Sequence, residues 1–224
     1  MTGDLVPVKI LSVRLISNVS EPLRRALGLK QTHRAVGLIS TDCDDATYIA
    51  LDEATKSANV DVAYARSLYA GAANASTKLA GEVIGILGGV NPSDVLSAMN
   101  SAVSFLKGGI GFRTANETGD IVYLAHCVAS AGTYLSAQAH VPAGQALAYL
   151  IAPPVEAVVG LDAALKVSDV ELAEFFAPPS ETNFAGGLLT GTQSACAAAC
   201  DAFAQAVCSV AQTPIETGGW SYGA

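Results

Sequence analysis

Along residues 11–19, apolar Leu11, Val13 and Leu15 alternate with Ser12 and Arg14, the two-residue period of a strand with one face in the core. The pattern returns at 121–129 through Val122 and Leu124. Further strands are predicted at 35–41 and 147–153, at 60–65 and 170–176, and at 83–88 and 186–190. Helical spacing replaces the alternation over 46–58 and 156–168, and again over 92–107 and 193–210. Helix 92–107 is the clearest of these. Asn91 can cap it, Pro92 suits its first turn, and Val95, Leu96, Met99, Ala102, Val103 and Leu106 make one apolar stripe.

The predicted elements come in the same order twice, and the residues repeat with them. Leu51-Asp52-Glu53-Ala54-Thr55-Lys56 returns 110 positions later (161 − 51) as Leu161-Asp162-Ala163-Ala164-Leu165-Lys166, and Asn59-Val60-Asp61-Val62 returns as Asp169-Val170-Glu171-Leu172. Upstream, Val13, Leu15 and Val19 align with Val122, Leu124 and Val128 at a shift of 109 (122 − 13). Downstream the shift shrinks to 102, which locates extra residues in the first half at 67–82, a Gly- and Ala-rich stretch. Two similar halves of mixed strands and helices make an α+β fold with boundaries near 1–111 and 112–213, followed by a flexible tail at 214–224.

Composition narrows the function. With 51% hydrophobic and 14% charged residues, the 224-residue chain can bury a large core. A net charge of −8 and no basic stripe argue against nucleic acid and against an anionic membrane surface. No apolar segment is expected to reach the roughly 20 residues of a span, since "ALAYLIAPPV" is cut by two prolines and then Glu156. The first residues lack the order of a signal peptide, so a cytoplasmic setting with five free cysteines is expected. Cys196 and Cys200 share a helical face with Phe203 and Val207, which favours core packing over a metal site.

Candidate chemistry concentrates in "ISTDCDDATYIALDEATK" (39–56), where Asp42, Asp44 and Asp45 follow a strand directly. A calcium loop fails, because Ala46 and Thr47 stand where a ligand and a turn glycine are needed. Asp44 and Asp45 suit a helix start, where negative charge meets the dipole and unpaired amides. Three aspartates exceed what a cap requires. The second half has "APPVEA" at the matching place, so the fold does not need the cluster, and the asymmetry points to function.

The stretches "VGLISTDCDDATYIALDEATK", "YARSLYAGAANASTKLAGEVIGILGG", "AYLIAPPVEA" and "DAALKVSDVELAEFFAPPSETNFAGGLLTGTQSACAAACDAF", together covering about 10–213, resemble the tandem-domain shell proteins of bacterial microcompartments, of the ethanolamine-utilisation type. That resemblance implies two circularly permuted shell domains per chain, each an antiparallel sheet flanked by helices. It also implies a homotrimer that imitates a hexamer and tiles with other shell proteins into a facet. Small channels within each subunit and a central opening would carry metabolites. Carried over on this resemblance, Asp44, Asp45 and Glu82 line the small channel, Tyr69, Phe112, Glu181 and Thr182 lie near the loops around it, and Cys127 is a neighbouring channel residue. A ring of carboxylates would attract ethanolamine or a similar small amine and reject anions. Cobalamin is a further candidate partner, with no cofactor, no metal, no nucleic acid and no membrane expected, in a microcompartment within the cytoplasm. The loops at 67–82 and in "FFAPPSETNFAGG" are the expected gate.

Two other classes stay open. A soluble small-amine sensor would carry the same acidic pocket without assembling. An enzyme would need His126 and Cys127 with Asp44 and Glu181 as thiol nucleophile and base, or as a metal site, yet neighbours on a strand face opposite ways and no GxSxG, P-loop, HExxH or CxxC accompanies them.

Overall fold

The computed structural model describes residues 1–68, 82–178 and 183–215. In the first half, β1 (Ile10–Ile16), β2 (Ala35–Thr41), β4 (Glu82–Gly89) and β3 (Val60–Leu68) form an antiparallel sheet in that spatial order, with α2 (Asp44–Ser57) and α3 (Pro92–Lys107) packed on it. The second half repeats this with β6 (Val122–Val128), β7 (Ala146–Ala152), β9 (Ala185–Gly191) and β8 (Val170–Phe176), covered by α5 (Pro154–Val167) and α6 (Gln193–Gln212). A two-residue strand β5 (Arg113–Thr114) extends the second sheet beside β6. Two short helices, α1 (Glu21–Ala26) and α4 (Thr133–Gln138), follow the first long strand of each half. Six residues are too few to show a helical period, so neither was predicted.

The first strands correspond differently from the sequence alignment. Val13 pairs with Ile39 on β2 and Ala125 pairs with Leu150 on β7, each partner being the fifth residue of its strand, so β1 and β6 correspond at a shift of 112 (125 − 13) rather than 109. Helices α1 and α4 keep the same 112 (133 − 21). A three-residue slip swaps the two faces of a strand, but β6 (VYLAHCV) is apolar on both faces and so accepts the alternation of β1 in either parity, which is why the sequence alone misplaced it.

Faces then sort cleanly. Ala146, Ala148, Leu150 and Ala152 of β7 join the core under α5 and α6, while Leu147, Tyr149 and Ile151 point the other way into a cluster with Ile49, Ala50 and Ala54 of α2 and Met99 of α3. The second sheet is therefore sandwiched between its own helices and those of the first half. Residues ahead of β1 also cross over: Val6 donates its amide to the Phe112 carbonyl at 2.8 Å, and Leu5 bridges to Arg113. By length and composition α6 could span a bilayer, contrary to expectation. Its Cys196, Ala199, Cys200, Phe203 and Val207 stripe instead lies buried in the second core.

Candidate functional site

Strand β2 delivers the chain at Thr41, and α2 begins at Asp44, two residues earlier than predicted. The turn is tied by its own side chains. Thr41 Oγ1 accepts from the Cys43 amide at 3.1 Å and lies 2.6 Å from Thr47 Oγ1, which donates to the Cys43 carbonyl at 2.7 Å. Asp42 Oδ1 accepts the Lys9 amide at 2.7 Å, and Asp44 Oδ1 accepts the Asp45 amide at 2.9 Å. Rather than lying on an open helix start, all three aspartates are buried, at 7%, 4% and 6% exposure for Asp42, Asp44 and Asp45.

What covers Asp45 is the second half. Tyr149, reaching across from β7, donates its hydroxyl to Asp45 Oδ1 at 2.8 Å. Its ring lies 6.0 Å from that of Phe176, and Phe112 packs 5.3 Å from Phe184, in the same apolar cluster. Burial drives the Asp45 carboxyl well above the usual carboxylate range, and the neighbouring Asp44 charge pushes the same way, against the Tyr149 hydrogen bond. Burial likewise raises the Tyr149 phenol, helped by Asp45. Asp42 is also raised by burial, opposed by the Lys9 amide. A niche holding two adjacent buried carboxyls favours whatever neutralises them, a proton or a small cation.

The remaining predicted residues fall in different places. Glu82 opens β4, one position before the Thr41–Val83 pair, so its backbone sits beside the acidic turn. Tyr69, Glu181 and Thr182 lie outside the described residues, as do most of the predicted gate and 216–224 of the tail. Phe112 is buried in the cluster that holds Tyr149. Cys127 is not brought to the niche: it faces α6, with its thiol 3.6 Å from the Gln193 carbonyl, on the opposite side of the sheet from Tyr149. His126 faces the first half, with its ring edge-on to Phe105 at 5.9 Å. Burial raises the Cys127 thiol and lowers the His126 imidazole, the reverse of an activated thiolate–imidazolium pair. Among the described residues no cluster of three His, Cys, Asp or Glu is arranged to hold a metal.

Sequence reasoning missed Tyr149, hidden in the apolar "ALAYLIA", and it missed Asp52. Asp52 is fully buried and accepts the Gly132 amide at 2.7 Å and the Leu135 amide at 2.9 Å, so a first-half carboxylate caps second-half helix α4. Thr55 Oγ1 adds the Thr133 amide at 3.0 Å, and the rings of Tyr48 and Tyr134 meet at 6.2 Å.

Comparison with known proteins places this architecture. The BMC domain family matches residues 35–115. The shell protein EutL of Clostridium perfringens is 61% identical over 96% of this chain and 99% of its own length. This chain belongs to the EutL shell proteins of bacterial microcompartments. EutL of Escherichia coli is 48% identical over 95% of the chain and 97% of its own length. Among solved structures, C. perfringens EutL superposes with a TM-score of 0.92 at 60% identity, covering 97% of this chain and 99% of that one. EutL from Leptotrichia buccalis superposes with the same TM-score of 0.92 at 57% identity, covering 96% and 100%. The tandem α+β shell-domain fold is thus that of a component of the microcompartment shell in ethanolamine utilisation.

Proposed function

We propose that three copies of this EutL-type chain close head to tail into a six-part disc, a shell tile whose acidic niches admit a small ammonium such as ethanolamine. The observation that carries the assembly is an asymmetry between equivalent surfaces. On α2, Tyr48, Asp52 and Thr55 are covered by α4 of the same chain. Their counterparts on α5, shifted by 110, are Val158, Asp162 and Leu165, which stay exposed among the described residues: Val158 is 49% exposed, and Val155, the counterpart of Asp45, is 65% exposed. The covering surface also has an idle counterpart. Leu135 of α4 is fully buried, whereas Leu23, its equivalent on α1, is 40% exposed.

Joining the two idle surfaces, α5 of one copy against α1 and the outer face of β2 in the next, repeats outside the chain the contact already made inside it. Leu38 would then stand where Tyr149 stands, and Asp162 would meet the amides of Ser20 and Leu23. Such a contact is heterologous, and it ends without leaving an open surface only in a closed ring. Two halves per chain in three copies give six quasi-equivalent wedges. Opposite faces of the disc are then joined by the seams, where the acidic niches lie.

For transport, the support is electrostatic. Buried carboxyls at Asp44 and Asp45 bind an amine by replacing lost hydration with charge pairing, and the aromatic lining adds attraction for a cation. Glu82, Tyr69, Glu181 and Thr182 are proposed to complete the passage, with the 67–82 and 175–187 loops as its gate. Calorimetric titration with ethanolamine tests this reading. Asp45→Asn is expected to weaken binding at least about tenfold, the scale of one charge-assisted hydrogen bond. Unaltered affinity in that variant removes Asp45 from the passage.

A further inference from the structure

Between α3 and β5 the chain reads Lys107-Gly108-Gly109-Ile110-Gly111-Phe112-Arg113. Gly108 ends the helix by donating to the Ser104 and Phe105 carbonyls, both at 3.0 Å. Gly109 then takes φ +98°, a left-handed conformation that a glycine adopts without strain. The amides of Gly109, Ile110 and Gly111 that follow donate to no acceptor among the described residues. Successive unpaired amides around a left-handed residue form a concave nest of partial positive charge.

The loop forms one wall of a cavity of about 280 Å³. Phe105 and Ala125 give it an apolar floor, and among the described residues Arg113 and His126 are its only ionisable side chains, both basic. Arg113 spends one Nη1 hydrogen on the Gly3 carbonyl at 3.0 Å and, among the described residues, keeps the rest of its fork. His126 makes no hydrogen bond among the described residues. The charged groups acting on its ring from α2 are Lys56 and Glu53, which pair with each other. The fold does not require this loop: at the end of α6, the positions matching 108–111 at the 102 shift are Val210, Ala211, Gln212 and Thr213, with no glycine.

We propose that this cavity binds a small oxyanion, a carboxylate or a phosphate, cradled by the Gly109, Ile110 and Gly111 amides and clamped by Arg113 and His126. The tile then carries two sites of opposite preference, the acidic niche for cations and this nest for anions. Neither depends on the other's residues. With the ring neutral, Arg113 and the amides hold the anion. As pH falls His126 gains a proton and adds a charged donor, so binding tightens in acid. Burial and the Lys56 charge hold that imidazole below its ordinary value, which places the tightening on the acid side of the usual histidine range.

The test follows the backbone amides of Gly109, Ile110 and Gly111 by TROSY spectroscopy of the deuterated full chain. Sodium phosphate and sodium butyrate are titrated separately against sodium chloride at constant ionic strength. Saturable shifts at these three amides are expected, with half-saturation on the order of millimolar for a site of this size. Arg113→Gln should raise the half-saturation point about tenfold, and since Arg113 is exposed the variant keeps its fold. His126→Gln should abolish the tightening seen as pH falls from about 6.5 to about 5. Response to phosphate alone names a phosphate site, response to butyrate alone a carboxylate site, and response to both a general oxyanion site. Absence of saturable shifts with either anion, or affinity untouched by Arg113→Gln, overturns the proposal.

Discussion

Asp45 is held in the folded chain at a cost to stability. Because burial and the Asp44 charge raise its pKa, the folded chain binds a proton there more tightly than the unfolded chain. Stability contributed by that proton is complete below the unfolded value of about 4 and is lost as pH rises through the raised folded value. Asp45→Asn keeps an acceptor for the Tyr149 hydroxyl and removes the titration. Thermal melts without amine should show the variant more stable than the parent at neutral pH, with the gap closing in acid; a variant less stable at neutral pH would contradict the burial of a strained carboxyl. Asp52 behaves oppositely on truncation, since its two amide partners are buried and hydrogen-bonded to it. Asp52→Ala should cost about 2–3 kcal/mol in denaturant unfolding, the loss of a charge-assisted bond with donors left unpaired. The acidic cluster was legible because three consecutive-turn aspartates have no match in the other half. Tyr149 and Asp52 were not, because a phenol in an apolar strand and an aspartate in a charged helix carry no local sign of a partner about 80 to 104 residues away.

At the scale of elements, four long strands and two long helices per half followed from period alone, and their ends fell within a few residues. Register did not, for the reason that Val13 and Leu15 read equally well three positions along. The join between α2 and α4 shows what sets it. Gly132 starts α4 so close to α2 that an added Cβ would meet the Asp52 carbonyl at 2.5 Å and Asp52 Oδ1 at 2.8 Å. Gly132→Ala should therefore push α4 off α2 and destabilise the chain by about 1–3 kcal/mol, read by chemical unfolding. A substitution without effect would mean that the contact is loose. Residues this tightly fitted within the chain are the template for the contact proposed between chains, where Ser20 rather than glycine precedes α1 and Leu23 points outward.

For the whole molecule, repetition is the main message of the sequence, and the structure adds direction to it. One half presents a covered α2 and an idle sheet face, the other a covered sheet face and an idle α5. Val155, Val158, Val159, Leu165 and Val167 leave an apolar stripe on α5 that a lone chain would expose to water. Val158→Glu should leave each chain folded, with unchanged far-ultraviolet circular dichroism, while weakening each contact between copies by about 1.5–3 kcal/mol. The most direct measurement is sedimentation equilibrium of the parent chain at micromolar concentration beside Val158→Glu. From a chain mass of 22.7 kDa, three copies predict about 68 kDa (3 × 22.7) for the parent and a shift toward 22.7 kDa in the variant. A parent that sediments at 22.7 kDa, or a variant that remains at about 68 kDa, would contradict the head-to-tail assembly through α5.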